Sequence, residues 1–574
     1  MPTPTANTPA ADHRSAPTGA LLYWLAALGV IGLLYGPFLF SNRVGILDWS
    51  KDLFYFAFLH DSLRSFGQLP LSFLAIPHSI AWFSTLQDLS YWSNPEVISF
   101  SPLLPLAFVM PVVAFMKTYF GLHLLAAAWG IRLLAGRCGF GPVRALVLLV
   151  LFLGNPWLVQ HLAIGYSPQI SLCLIPLIVA LLAAREFRPL EWAGAAALAA
   201  LVCYQGALHL FVWLLLAVGV FVAFEALLAR RLDHVWRTVF FFAATAGLVA
   251  PKAYAAASVY GGWRRIPAGG YASLADLWGL LTDAGFPMFQ FPETYSHYNV
   301  AFYDGSLLVG PGFVVLTGLA AGAVLFAALR RREADAGRIT TDAACLLAAL
   351  TFLVLGWGSV WRDLAALLHL PSSEIYPFRY LFIAYNFCIF VIVDRLGRWQ
   401  PAGAVGKTRL AVFSVLLALT CLTFWSRNRE LMPYLTENPN FYGAFSIKDF
   451  YRDRILALSG STRLPVAATP NSVTITPSGR FGERIRLPWL PHEAVERFRF
   501  SGARVVAAGP EGGTIIAVTA TARPVFITPD DRRRGPLCAA ALAVFCALTA
   551  GTAGLARWRP GLFTAIPGGG TRHA

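Results

Sequence analysis

Long apolar runs broken by short polar connections set the pattern of this chain over its first 425 residues. A helix crossing a hydrocarbon core of ~30 Å needs about 20 apolar residues and must satisfy its own backbone. Twelve stretches meet that demand: residues 20–40, 111–134, 142–159, 168–184, 190–205, 207–228, 237–257, 306–329, 341–358, 376–394, 409–425 and 536–556. A patch at 102–110 is too short and proline-rich to cross, and reads as an interfacial segment. The first run outlasts a signal-peptide core and no small-residue cleavage site follows it, which predicts a retained anchor. From 426 to 534 the pattern changes to alternation, as in 472–477, 483–489, 497–506, 513–518 and 524–529, with turns between. That period predicts short strands.

Composition agrees. Of 574 residues 57% are hydrophobic and 13% charged, against ~25% charged in soluble domains, which excludes a soluble chain. The expected fold class is an all-α polytopic membrane protein of about twelve transmembrane helices. A small extracytoplasmic β-sandwich-like domain precedes the last helix.

The net charge of +15 alone would point to nucleic acid or anionic lipid. Its distribution points elsewhere. With the N-terminus inside, the inner connections hold nineteen basic residues, from Arg14 through Arg137, Arg237 and Arg395 to Arg572. The outer loops before residue 426 hold six, Arg43, Lys51, Arg64, Arg264, Arg265 and Arg362, and the outer β-rich domain and its junction hold sixteen more. This is the positive-inside asymmetry of a multi-pass membrane protein with both termini cytoplasmic. No nucleic-acid partner is expected. Arg532, Arg533 and Arg534 depart from the rule. The organisation read from this pattern is a disordered tail (1–18), a transmembrane domain (19–425) with outer loops at 41–110 and 258–305, and a β-rich domain (426–534). A last helix and cytoplasmic tail (535–574) follow.

Candidate chemistry is sparse. There is no phosphate-binding glycine loop, no nucleophile elbow and no His-Glu-x-x-His. The eight cysteines lie in or beside spans without paired spacing, as small buried residues. The first outer loop stands out, with Asp48 and Asp52 just past span 1. A carboxylate at the membrane boundary can take a proton from a hydroxyl whose co-substrate lies in lipid; Asp48 can equally cap a short interfacial helix. Asp52, one turn on, faces Asp48 on such a helix or is a solvated loop acid.

The order of short motifs resembles the GT-C superfamily of polytopic glycosyltransferases, particularly its bacterial YfhO-like branch. The resemblance rests on Asp48-Trp49, Phe54-Tyr55, Ser62-Leu63-Arg64 through Gly67-Gln68-Leu69-Pro70, Asn94-Pro95-Glu96 and Ser101-Pro102. Met116-Lys117, His123, the run His161 to Ser167 and Pro377-Phe378-Arg379-Tyr380 extend it. Two departures are plain: Leu71 to Pro77 lacks the family's aromatic-Asn-Pro and Gly-Gly, and Tyr166 stands at the second His of a His…Gly-His pattern.

The resemblance implies an inverting transferase with Asp48 as catalytic base and Asp52 as a second carboxylate. It would move a sugar from a polyprenyl-phosphate donor to an extracytoplasmic glycan, lipid or protein acceptor at a bacterial inner membrane. Arg379 and Lys117 are the expected donor-phosphate residues, since a guanidinium grips phosphate bidentately, although either can also reach lipid headgroups. Asn94, Glu96, His161, Tyr166 and His297 are expected at the cavity, the last within an aromatic stretch (286–298) that equally suits interfacial anchoring. His123 and His209 read as packing histidines. No cofactor is expected, although some relatives use a divalent ion. The rival readings are a non-catalytic lipid-linked saccharide transporter and an envelope assembly factor.

Overall fold

The computed structural model describes residues 17–46, 48–74, 90–184, 188–230, 232–260, 270–282, 307–330, 336–368, 377–396, 403–439, 445–509, 513–520, 523–530 and 534–558. The expected tail up to residue 16, most of the second outer loop and His297 lie outside them.

Nine helices among the described residues are long and apolar enough to cross a membrane, as in a membrane-embedded protein. Chain order begins with α1 (Pro17–Leu39) and α2 (Trp49–Phe66). It continues with α3 (Val112–Arg137), α4 (Pro142–Leu153), α5 (Pro156–Ile164), a 3-10 turn over Ser167–Leu174, α6 (Ile175–Leu182) and α7 (Pro189–Tyr204). Then come α8 (Leu208–Ala229), α9 (Asp233–Tyr260), α10 (Leu274–Thr282), α11 (Gly310–Leu329), α12 (Ala336–Leu355) and α13 (Gly358–Leu367). The set closes with α14 (Tyr380–Leu396), α15 (Gly403–Leu431), α16 (Ile447–Arg454) and α17 (Arg534–Trp558).

Three of the twelve expected stretches, near 168–184, 190–205 and 376–394, form shorter helices. Pro168 and Pro176 divide the first into a 3-10 turn and two turns of α-helix, because proline removes a donor and crowds the preceding turn. The stretch at 142–159 is one candidate span, Pro142–Ile164, but bends at Gly154-Asn155-Pro156, where the Asn155 side chain caps α5 by accepting from the Trp157 amide at 2.8 Å. The expected span 409–425 runs on to Leu431, so the first residues assigned to the β-rich domain are helical. Arg427 pairs with Glu430 and Asn428 donates to the Gly154 carbonyl at 2.8 Å, which holds that polar extension in place.

One end of the bundle is fastened by polar clasps. Arg137, at the end of α3, donates to the Ala180 carbonyl at 2.6 Å and pairs with Glu191 of α7 at 2.8 Å. Asp342 of α12 pairs with Arg395 of α14, both buried. The arginines that mark the inner connections in the sequence thus also tie helices together. Lys117 lies near the other end of α3, some 30 Å away by helix geometry. That is the end where the first loop folds.

The C-terminal domain has two antiparallel sheets. In chain order the strands are β1 (Arg43–Val44), β2 (Asn438–Pro439), β3 (Leu458–Ser459), β4 (Thr462–Arg463), β5 (Val466–Thr469), β6 (Ser472–Ile475), β7 (Arg484–Pro491), β8 (Phe498–Ser501), β9 (Ala503–Ala508), β10 (Gly513–Val518) and β11 (Val525–Pro529). One sheet runs β4-β3-β7-β10-β9 and the other β5-β6-β11-β8. Alternate residues Val473 and Ile475, Ile485 and Leu487, and Val525 and Ile527 are buried in the core, as strand alternation requires. β1 pairs with β2, which joins the first loop to the segment leading into this domain. Asn471 strengthens that junction: its side chain accepts from the Leu71 amide at 2.8 Å and donates to the Leu69 carbonyl at 3.0 Å.

Candidate functional site

The site begins with how α2 starts. Ile46, Asp48 and Trp49 lie along the C-terminal end of α5, whose last carbonyls have no partners within their own helix. The Ile46 amide donates to Ala163 at 2.7 Å, the Asp48 amide to Ile164 at 2.9 Å and the Trp49 indole to Leu162 at 2.6 Å. Gly165 ends α5 in the left-handed region, at φ +92°. A Cβ there would come within 2.2 Å of the Trp49 nitrogen, so the approach requires glycine. α2 then runs to Gly67, a left-handed C-cap. Most of α2 is buried, Trp49, Leu53, Phe54 and Phe58 among its large side chains, so it is a core helix rather than the short interfacial one expected.

Asp48 occupies the N-cap position of α2, but its side chain makes no capping bond. It faces Lys51 instead, 3.5 Å from the ammonium. Glu96, reached through the Asn94-Pro95 step, lies 2.7 Å from the same ammonium, and one Asp52 oxygen lies 4.0 Å from it. The other Asp52 oxygen accepts the Ser167 amide at 2.7 Å. Three carboxylates therefore converge on one lysine. Asp48 is the more accessible of the two aspartates, with 19% of its side chain exposed against 1% for Asp52.

The electrostatics follow from burial. Desolvation pushes the Asp52 carboxyl up to about 7; Lys51 and the Ser167 amide oppose the rise, and Asp48 and Glu96 reinforce it. Lys51 is also buried, which works against its charge. The carboxylates of Glu96, Asp52 and Asp48 override that and hold its ammonium well above the usual lysine range.

Asn94 braces the third acid: its side-chain oxygen accepts the Glu96 amide at 2.9 Å, and its amide donates to the Tyr55 hydroxyl at 3.4 Å. Beneath this loop lies Lys252 of α9, fully buried, donating to the carbonyls of Trp92 at 2.6 Å and Asn94 at 2.8 Å and to the Ser99 hydroxyl. Neither Lys51 nor Lys252 was among the sequence candidates. A signal existed: only five lysines stand against forty arginines, and Lys51, Lys117 and Lys252 are all buried at this end.

The remaining candidates divide. Tyr166 precedes Ser167, and its ring stacks on His161 at 5.5 Å. His161 donates from Nδ1 to the Trp157 carbonyl at 2.8 Å, and the Arg379 guanidinium lies 5.6 Å from the Tyr166 ring centre. Arg379 therefore contacts Tyr166, the residue next to Ser167, which bonds Asp52. Lys117 stands apart: its ammonium donates to the Arg43 carbonyl at 2.7 Å and lies 3.2 Å over the Phe38 ring. His123 bonds the Tyr119 carbonyl and Gln205 through its two ring nitrogens, and His209 accepts from Gln169 at 3.1 Å. Among the described residues no group of three or more His, Cys, Asp or Glu side chains is arranged to hold a metal ion.

A cavity of about 650 Å³ opens at the other end of α2 from the cluster, against Leu63 and Gly67 and beyond the loop 92–99. Trp92, Phe100, Tyr204, Ser99, Asn471 and Arg534 are among its lining residues, so it lies at the seam between the helices and the β-rich domain. No protein-family model matches this chain, and no curated protein sequence matches it.

Proposed function

We propose that this protein is a membrane glycosyltransferase of GT-C type, taking sugar from a polyprenyl-phosphate donor to an extracytoplasmic acceptor at a bacterial inner membrane, with both termini cytoplasmic. One observation carries the reading: Asp48, Asp52 and Glu96 gathered about Lys51 at the start of the first-loop helix. Asp48 is the base, because it is the accessible aspartate, while burial and the Ser167 amide commit Asp52 to holding the cluster. The acceptor hydroxyl gives its proton to Asp48 as its oxygen bonds to the anomeric carbon. The bond from that carbon to the donor phosphate breaks, its electron pair leaves with the phosphate, and the configuration inverts. Arg379 is the better of the two expected phosphate residues, since it lies against Tyr166 beside Ser167, the Asp52 partner, whereas Lys117 bonds Arg43 and lies over Phe38.

A positioned general base is worth about 10²–10⁴-fold. Membranes carrying Asp48→Asn should therefore lose transfer from a labelled polyprenyl-phosphate sugar by that factor at unchanged expression. Full activity in the variant overturns Asp48 as base. The cavity beside Trp92 and Arg534 favours a second reading, a transporter of lipid-linked saccharides. That reading expects flipping by Asp48→Asn and no transfer by either form.

A further inference from the structure

We propose that the outer face of the five-stranded sheet binds an acidic polysaccharide, a chain of sugar rings bearing carboxylates, through Arg484, Arg504, Arg486 and Arg463, with Phe481 beside them. The inference stands apart from the transferase reading, and its test needs no transfer activity.

Strand register places the arginines. Ile485 and Leu487 of β7 and Ile516 and Val518 of β10 are buried in the core, so the residues alternating with them face outward. Arg484 stands opposite Ala517, and Ala517 opposite Arg504 of β9, so two arginines flank one small side chain about 9.5 Å apart. Arg486 lies two residues along β7, about 7 Å away. Its row continues through Leu458 of β3 to Arg463 of β4, and residues directly opposite share a face. Arg463, Arg484 and Arg504 are exposed and Arg486 is half-buried; Arg463 also donates to the Arg452 carbonyl. Among the described residues no carboxylate pairs with any of the four. The nearby acids are turned elsewhere: Asp449 and Asp453 to Arg452, Asp530 to Arg499, and Glu483 to the Ser478 amide. Over 426–534 sixteen basic residues stand against ten acidic ones. A face of one sign repels itself and attracts an anion.

The chemistry of the face selects the occupant. A guanidinium fork grips a carboxylate bidentately, and rows of forks suit a polymer whose charges repeat. Phe481, 74% exposed in the turn before β7, offers an apolar face on which a sugar ring can stack. The Gly482 amide donates to the Val518 carbonyl at 3.0 Å, which sets that turn beside the row of Arg484, Ala517 and Arg504. The membrane helices meet the domain at the opposite end of β7. There Arg497, just past the strand, donates to the Ser258 carbonyl of α9 at 3.3 Å. Arg484 begins the strand, about 24 Å away along it, so the face is turned to a soluble polymer rather than to the bilayer.

Purified full-length protein in detergent is titrated into a fluorescent hexamer of galacturonate, and anisotropy reads the binding. Wild type is expected to bind it, more weakly as salt rises, and to leave an uncharged glucose hexamer free. Arg484→Gln combined with Arg504→Gln should weaken binding by about 10-fold or more. The melting temperature should not change, since both side chains are exposed. Phe481→Ala should weaken binding by about 3-fold. The proposal is overturned if wild type does not bind the galacturonate hexamer, or if the double arginine variant or Phe481→Ala binds it as well as wild type does. It is equally overturned if the glucose hexamer, a glutamate hexamer or a single-stranded DNA hexamer binds wild type as tightly. Any of these failures leaves the transferase reading standing, because Asp48 is no part of this face.

Discussion

At the residue scale the site is governed by one unequal pair. Asp48 and Asp52 lie one turn apart, yet one reaches water and the other does not, so the same carboxyl chemistry serves two purposes. Asp52 titrates near 7 in the folded protein and near 3.8 in a solvated chain, with Lys51, Asp48, Glu96 and the Ser167 amide as the facing groups. The sign follows. The folded state holds the proton more tightly, so stability from protonated Asp52 is complete below about 4 and lost as pH rises towards 7. Asp52→Asn, which cannot ionise, should therefore gain on wild type across that window, at no more than about 1.4 kcal/mol per pH unit. Melting curves of both proteins in detergent between these limits check it, and a constant difference with pH would contradict it. Asp48 and Asp52 were legible as candidates in the sequence because they cluster just past the first span. Lys51 was not, since a basic residue in an outer loop carries no sign that three acids will surround it.

At the scale of elements, the junction of α5 with α2 decides where the acids sit. The carbonyls left over at the end of α5 are taken by the Ile46 and Asp48 amides and the Trp49 indole, and Gly165 admits that approach. Gly165→Ala would place a Cβ against the Trp49 backbone in a left-handed conformation. The combined cost is about 2–4 kcal/mol. Lower thermal stability should accompany faster hydrogen exchange at the Asp48 and Ser167 amides, the two that tie α2 to α5 and the turn after it; unchanged exchange there would show the junction is not needed. The alternation at 472–475 and 525–529 correctly read as strands, because one face of each is buried. The length of α2 was not read, because a helix buried on nearly every side has no polar face to betray its period.

For the molecule as a whole, the first loop is held from two directions: by the helices beneath it and by the β-rich domain beside it. Asn471 is the clearest link between the domain and the loop, bonding both Leu69 and Leu71. Asn471→Ala removes both bonds, at about 1–2 kcal/mol. Where local opening governs exchange, that is roughly tenfold faster exchange at Leu71, read by mass spectrometry on peptides covering 69–71. Unaltered exchange would mean that the domain does not steady the loop.

By itself, the sequence determined that this chain is built of membrane-length apolar helices with a β-rich domain before the last, and that acids collect in the first loop. Those properties are local: they depend on run length, period and composition, which neighbours in sequence carry. Only the tertiary structure decided which side chains meet. Glu96 joins Asp48 and Asp52 across more than forty residues, Lys252 of α9 supports the loop from below, and Arg379 connects to the cluster through Tyr166 while Lys117 does not. Such meetings depend on packing between distant segments and on which carbonyls a helix end leaves unpaired, and neither has a period that a single sequence displays.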